Sequence, residues 1–317
     1  MRVGRTLAYI VFVSCMILLV IRMRASSPNT QVHSGSWAIS KSDEAGKVEF
    51  ALMEHRHDGM SNHQSDWSMS SFPGVDFSKP GRQEVHFTIA RDAGKLDCEG
   101  FLNDGEGAGV FHFQPDPNYV REMRSFGFDV DEEKQYAMTV QDVSLAFAKE
   151  MKNEHLRDLD TEKLIAFRIF KVDAAFIEAL RSEGLSASDS DKLVAFRIHG
   201  VTPQMVRSLR QAGYSPDEDT LVAMRIHGAT PEWIAQLKKE GYDHVDLQKL
   251  IAFRIHGVSP EFIEKLQGLG YSHPDPDDLI AMRIHHVTPE YIADMRSRGM
   301  KDLSIDKLVS MKIHGID

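Results

Sequence analysis

A histidine recurs at one position of a repeated segment, and a row of imidazoles could bind a metal ion. Residues 250–263 have the sequence Leu-Ile-Ala-Phe-Arg-Ile-His-Gly-Val-Ser-Pro-Glu-Phe-Ile, and close copies of it occur several times in the chain. Neutral imidazole is a common ligand of metal ions, and its protonation changes near neutral pH. The histidines of this row, with one neighbour, are His199, His227, His256, His285, His286 and His314.

Geometry favours a structural role for this histidine row. Equivalent positions in stacked helices lie ~8–10 Å apart, whereas the histidine ligands of one zinc ion converge to ~2.0–2.1 Å from the metal. Each histidine also lies where its helix is predicted to end, and a histidine there interacts favourably with the negative end of the helix dipole. We therefore predict helix capping, and no metal or cofactor. Metal binding is the alternative, with His285 and His286 as the first place to search.

An arginine or lysine precedes this histidine by two residues in an otherwise apolar helix. A guanidinium group that is buried has to be paired. We predict pairing with acids such as Glu232, Glu261 and Glu290, and an anion-binding row is the alternative. The basic residues are Arg197, Arg225, Arg254, Arg283 and Lys312, with Arg168 at the equivalent position before Phe170.

Sequence patterns of enzymes are absent from the chain. It contains no H-E-x-x-H, no G-x-S-x-G, no G-x-x-x-x-G-K-[ST], and no G-x-G-x-x-G before a predicted helix. No set of Ser, His and Asp or of Cys and His stands apart from the repeat. We therefore predict that the protein is not an enzyme.

The spacing of the repeat predicts an α-solenoid. A leucine recurs every 28 or 29 residues, at Leu164, Leu193, Leu221, Leu250, Leu279 and Leu308, and such a period indicates one supersecondary unit stacked many times. Thr-Pro or Ser-Pro predicts the start of a second helix in each unit. Glycine predicts the end of the second helix and, at Gly200, Gly228 and Gly257, the end of the first. Helices this short need their neighbours for stability.

The two helices of a unit have different predicted environments. The first is apolar on nearly all sides, so it is predicted to be the buried member. The second differs more between repeats, and it is predicted to form the surface that binds a partner. The candidates are Gln204, Trp233, Phe262 and Tyr291.

The remaining chain predicts an α+β protein with an N-terminal anchor. Residues 1–24 hold an apolar run at 7–21 flanked by arginines, which predicts a transmembrane signal anchor, with a cleaved signal peptide as the alternative. Residues 25–45 are predicted to be a linker, and 46–114 a small antiparallel β module because apolar residues alternate there. Within that module, 58–74 is predicted to be a loop. Residues 115–317 form the helical array, with atypical units at 115–185, regular units at 186–300 and a half unit at 301–317.

Charge and anchor together predict location and partners. A formal net charge of −10 argues against nucleic acid. The anchor predicts a single pass through the bacterial cytoplasmic membrane at residues 7–21, with most of the chain in the periplasm. A secreted form is the alternative.

Two segments carry a resemblance to a known group of proteins. The repeated Leu-Ile-Ala-Met-Arg-Ile-His-x-Val-Thr-Pro-Glu-Tyr-Ile, and before it Arg-Asp-Ala-Gly-x-Leu-x-Cys-Glu-Gly-x-x-x-Asp-Gly-x-Gly-Ala-Gly-x-Phe-x-Phe, resemble the extracytoplasmic region attached to some bacterial beta-lactam-sensor-type membrane metallopeptidases. They also resemble uncharacterised membrane-anchored proteins with the same two modules. The similarity covers about 46–317, and the peptidase domain with its zinc motif is missing. The resemblance implies a sensing or interaction module of the cell envelope.

Three functions follow as hypotheses. The preferred one is a non-enzymatic, membrane-anchored scaffold that binds a protein or an envelope polymer. The second is a regulatory or sensor subunit that works with a membrane metallopeptidase. The third is a periplasmic protein that binds metal through the repeated histidines.

Overall fold

The structure is a computed structural model, and it describes residues 33–56 and 59–316. Contacts divide the chain into two units. Among the described residues, the first unit contains those up to His155 together with Leu159–Ile169, and the second contains Leu156–Asp158 and those from Phe170 to 316.

The first unit is built on one antiparallel sheet. Its six strands lie in the order β3-β2-β1-β6-β5-β4, so that each end of the sheet is a run of consecutive hairpins. The strands are β1 (Ser34–Lys41), β2 (Lys47–Arg56), β3 (Gly59–Ser68), β4 (Arg82–Arg91), β5 (Gly94–Asn103) and β6 (Glu106–Pro115).

One face of the sheet carries an aromatic core. Trp37 of β1 is fully buried, and its ring meets Phe87 edge to face at 5.3 Å. The indole lies across the backbones of β5 and β6, where a Cβ atom on Gly100 or Gly109 would stand 2.7 Å from ring atoms of Trp37. The close approach of this tryptophan therefore requires glycine at position 100 of β5 and at position 109 of β6.

Four helices follow the sheet. Helix α2 packs on β5 and β6, and α1 packs on α3. Tyr136 of α2 lies parallel to Phe111, with centroids 6.1 Å apart, and also stacks on the ring of His33, which pairs with the buried Glu54. The helices are α1 (Pro117–Ser125), α2 (Glu132–Val140), α3 (Leu145–Asn153) and α4 (Thr161–Phe170).

The second unit consists of stacked helix pairs. The first helices α6, α8, α10, α12 and α14 contact one another in sequence, and the second helices α5, α7, α9, α11 and α13 are stacked from α5 to α9 and from α11 to α13. The helices are α5 (Ala174–Ser182), α6 (Ser190–His199), α7 (Pro203–Gln211), α8 (Glu218–His227), α9 (Pro231–Lys239), α10 (Leu247–His256), α11 (Pro260–Gly268), α12 (Pro276–Ile284), α13 (Pro289–Ser297) and α14 (Ile305–Ile313).

Local sequence sets the ends of these helices. The side chain of Thr230 accepts a hydrogen bond from the backbone N–H of Trp233, and Pro231 takes the first helical position, where its missing N–H costs nothing. Helix α8 ends at Gly228, whose φ of 74° is left-handed. The next N–H, from Ala229, then donates to the carbonyl of Met224 at 2.8 Å. The same arrangement recurs at the ends of α6 and α10.

The predicted fold class needs a correction. Among the residues that the structure describes, no helix is long and apolar enough to cross a membrane. The anchor predicted at 1–24 lies outside the described residues, which form an α+β fold of six strands and fourteen α-helices.

Two predicted boundaries are also wrong. Strand β1 lies inside the segment predicted as a linker at 25–45, so the sheet begins at Ser34 instead of 46. Strand β3 lies inside the predicted loop at 58–74. Its inward positions include the polar His63 and Ser65, which pair with Leu52 and Phe50, so β3 lacks the apolar alternation that identifies a strand from sequence.

Candidate interaction surface

Arginines on the first helices connect each repeat to the end of the first helix in the preceding repeat. The Nε atoms of Arg225, Arg254 and Arg283 donate to the carbonyls of His199, His227 and His256, at 2.9, 3.2 and 3.2 Å. Each acceptor is the last residue of a helix, where carbonyls lack helical partners and the dipole is negative. The acid predicted as the partner of these guanidinium groups is replaced by a backbone carbonyl of the preceding repeat.

Aromatic rings lie under most of these cations. The guanidinium carbon of Arg254 is 5.1 Å from the ring centroid of Trp233, and that of Arg283 is 5.0 Å from Phe262. Lys312 places its Nζ 4.2 Å from the Tyr291 centroid. These are cation–π contacts across the repeat interface.

The predicted partner surface is therefore wrong at three of its four positions. Trp233, Phe262 and Tyr291 are only 8, 6 and 8% exposed, because the rings pack beneath the next repeat. Gln204 is exposed. It does not share their repeat position, however, since the residue equivalent to the three rings is the buried Met205.

Glycine at the helix end makes room for the arginine. A Cβ atom on Gly228 would lie 3.0 Å from an Nη atom of Arg254, and one on Gly257 would lie 2.9 Å from Arg283. Lys171 takes this position in an earlier repeat, also with positive φ. There the Nε of Arg197 is buried and, within the described part of the chain, has no hydrogen-bond partner.

The histidines of the row contribute their carbonyls more than their rings. His227, His286 and His314 are exposed, and the other three are partly buried. The capping predicted for the rings is seen at His314, whose Nδ1 lies 2.7 Å from the carbonyl of Ser310. Partial burial lowers the pKa of His199.

The predicted pair His285 and His286 does not lie in a cluster of metal-binding side chains among the described residues. No group of three or more His, Cys, Asp or Glu side chains within residues 33–56 and 59–316 could hold a metal ion. The stacking of the repeats spreads the histidines along the array.

An exposed row of isoleucines is the main surface feature that sequence reasoning missed. Ile226, Ile255, Ile284 and Ile313 are 55, 53, 46 and 58% exposed, and they are called the isoleucine row below. They lie on the consecutively stacked helices α8, α10, α12 and α14, between the arginine or lysine and the histidine of each repeat. The signal was present as a fixed Arg-Ile-His or Lys-Ile-His triplet, but an apolar residue in an apolar helix is predicted to be buried.

The surroundings of this row are also repeated. Three residues before Ile226, Ile255 and Ile284 comes an alanine that is partly buried, so little side-chain bulk stands beside each isoleucine. Seven residues before Ile226 and Ile284 come Asp219 and Asp277, whose side chains are 78 and 72% exposed although they pair with Lys192 and Lys249. Helices α8 and α12 therefore each carry an exposed acid, a small residue and an exposed isoleucine.

Comparison with known proteins gives no match. No protein-family model, no curated protein and no solved structure matches this chain. The resemblance to the region attached to beta-lactam-sensor-type metallopeptidases therefore stays a prediction.

Proposed function

We propose that the repeat array is a non-enzymatic scaffold that binds another protein along the isoleucine row. The observation that supports this proposal is the repeated exposure of a large aliphatic side chain on consecutive first helices. Isolated exposed hydrophobic residues are ordinary, whereas contiguous apolar surface marks interaction sites. Four isoleucines are exposed at the same repeat position of helices that stack in sequence, so they are grouped along the array.

The chemistry of the row favours a partner segment that is apolar and basic. Apolar side chains of the partner cover the isoleucines, and removing this surface from water favours association. Lysine or arginine side chains of the partner complement Asp219, Asp277 and the exposed Asp306. The chain as a whole has a formal net charge of −10, which attracts a basic partner at long range.

The other hypotheses do not depend on the isoleucine row. An envelope polymer as ligand, a regulatory role with a membrane metallopeptidase, and a periplasmic location all stay predictions. Metal binding through the repeated histidines gains no support from their positions, which follow the array.

Site-specific photocrosslinking tests the proposal. A photoreactive amino acid at position 255 or 284 of the full chain is expected to crosslink a protein partner in the native cell. The matched controls are positions 236 and 264, where Gln236 and Glu264 are exposed on the second helices. Crosslinking that is equal at both pairs of positions, or confined to the control pair, would overturn the proposed surface.

A partner identified in this way gives a quantitative test. The double variant Ile255→Glu with Ile284→Glu is expected to weaken its binding at least tenfold while leaving the melting temperature nearly unchanged, because both side chains are already exposed. The matched variant Gln236→Glu with Gln211→Glu changes charge on the second helices. Unchanged affinity in the isoleucine variant would contradict the proposal.

A further inference from the structure

A tyrosine after the second helix connects each of two repeats to the next. The hydroxyl of Tyr242 donates to the carbonyl of Pro274 at 2.7 Å, and that of Tyr271 donates to the carbonyl of Leu303 at 2.7 Å. The acceptor lies 32 residues further along the chain in both cases. This bond is therefore a regular part of the repeat interface.

An imidazole completes the interface at Tyr242. The ring of His273, from the next repeat, lies parallel to the Tyr242 ring with centroids 4.6 Å apart and an interplanar angle of 9°. Its Nε2 is 3.1 Å from the carbonyl of Gly241. The chain itself thus shows which chemical group fits against this tyrosine, namely a planar nitrogen heterocycle.

The preceding interface has the same residue types in a different arrangement. Tyr214 is equivalent to Tyr242, and His244 is equivalent to His273. The His244 side chain is 91% exposed, with its Nε2 atom 3.5 Å from Asp243. The Tyr214 hydroxyl is buried and, among the residues described, has no hydrogen-bond partner.

An open pocket lies at this interface. Its volume is about 450 Å³, and it is lined by residues 212–215 and 243–247. The lining includes Tyr214 and the acidic residues Asp243 and Asp246. The pocket has the size range of small-molecule sites, and its charged groups are acidic.

We propose that this pocket binds a cationic, imidazole-type heterocycle, which stacks on Tyr214 as His273 stacks on Tyr242. The ring occupies the position that His244 leaves open. A positive group on the ring or its side arm pairs with Asp243 and Asp246. Burial and these two carboxylates raise the pKa of Tyr214, and the face of a tyrosine ring attracts a cation.

Two sources could supply this chemistry. One is a small amine such as histamine, in which an ammonium group extends from the imidazole. The other is a histidine side chain of a second protein. Both place the same ring on Tyr214, and they differ in the group attached to it.

Isothermal titration of the full chain with histamine tests the site. Saturable binding is expected, together with roughly a tenfold loss of affinity for Tyr214→Leu, since the aromatic face on which the ligand ring stacks is removed. Asp243→Asn, at a side chain that is 45% exposed, is expected to weaken binding roughly several-fold because one of the two carboxylates loses its charge. The control Tyr242→Phe is expected to bind as the parent does, because Tyr242 does not line the pocket.

Two probes distinguish a free amine from a histidine side chain as the natural ligand, and they also show whether the site binds either one. Tighter binding of histamine than of N-acetylhistidine methylamide supports a free amine, and the reverse supports a histidine of a partner protein. Absence of saturable binding by both probes would overturn the proposal. So would unchanged affinity in both Asp243→Asn and a folded Tyr214→Leu, with folding checked by circular dichroism.

Discussion

The Nε atom of Arg254 donates to the carbonyl of His227 at 3.2 Å, and the two residues belong to consecutive repeats. His227 is the last residue of its helix, so the arginine satisfies a carbonyl that the helix cannot. The same guanidinium lies over Trp233. One side chain thereby joins both helices of one repeat to the first helix of the next.

Replacing Arg254 tests how much this link stabilises the array. Arg254→Leu is expected to lower the free energy of unfolding by about 2 kcal/mol, from the hydrogen bond and the cation–π contact together. Arg225→Leu is the matched control, because Arg225 bonds the carbonyl of His199 but has Met205 at the aromatic position. Its cost is expected to be smaller by about 0.5–1 kcal/mol. Urea unfolding measures both, and equal costs would show that the ring contributes nothing.

The glycine beside this arginine gives a second prediction. Gly228→Ala is expected to cost about 1–2 kcal/mol, since alanine is strained at a φ of 74° and its Cβ meets the Arg254 guanidinium. His286 occupies the equivalent position with a φ of 58°, and the basic residue that follows it is Lys312. His286→Gly is therefore expected to leave stability unchanged or to raise it. Thermal unfolding of the two variants checks the contrast, and a loss in His286→Gly would contradict it.

The tyrosines of the interfaces differ in their hydrogen bonds, and this predicts opposite responses to one substitution. Tyr242→Phe is expected to lower stability by about 1–2 kcal/mol, because the buried carbonyl of Pro274 loses its donor. Tyr214→Phe removes a buried hydroxyl that has no partner among the described residues, so stability is expected to be unchanged or slightly higher. Chemical denaturation distinguishes the two results. A similar loss in both variants would show that Tyr214 is bonded in solution.

Local sequence signals predicted the ends of the helices well. The Thr-Pro and glycine signals concern contacts within one turn, and the structure confirms them at Thr230 and Gly228. Such signals need no knowledge of the neighbouring repeat. The positions where helices begin and end could therefore be predicted from the sequence alone.

Contacts between repeats could not be predicted in this way. Trp233 differs from its counterparts in other repeats, which suggested an exposed partner surface, yet it is covered by an arginine 21 residues further along the chain. Ile226 lies in a helix that is apolar on nearly all sides, so periodicity could not show that it faces solvent. Both errors concern which side of a helix its neighbours cover.

Core and surface positions of the same helix are expected to differ in their contribution to stability. Leu221 is fully buried, and Leu221→Ala should cost about 2–5 kcal/mol through lost burial and a residual cavity. His227 is exposed, and its backbone carbonyl, which any residue supplies, is the group that Arg254 binds. His227→Ala should therefore cost about 1 kcal/mol or less. Urea unfolding with and without a chelator measures both. A large, chelator-dependent effect at His227 would instead favour metal binding.

The buried thiol of the sheet predicts how stability depends on pH. Burial, with a smaller effect of Asp97, raises the pKa of Cys98 to about 12, whereas an unfolded thiol has a pKa of ~8.5. The folded state therefore holds the proton more tightly. This contribution is fully present below pH ~8.5 and is lost as pH rises toward 12. Between pH 9 and 10 the loss should be roughly 1 kcal/mol. Unfolding curves of the parent and Cys98→Ala at both pH values isolate the thiol's contribution, because other titrating groups affect both proteins equally. The same change in the free energy of unfolding with pH in both proteins would show that the thiol is not buried.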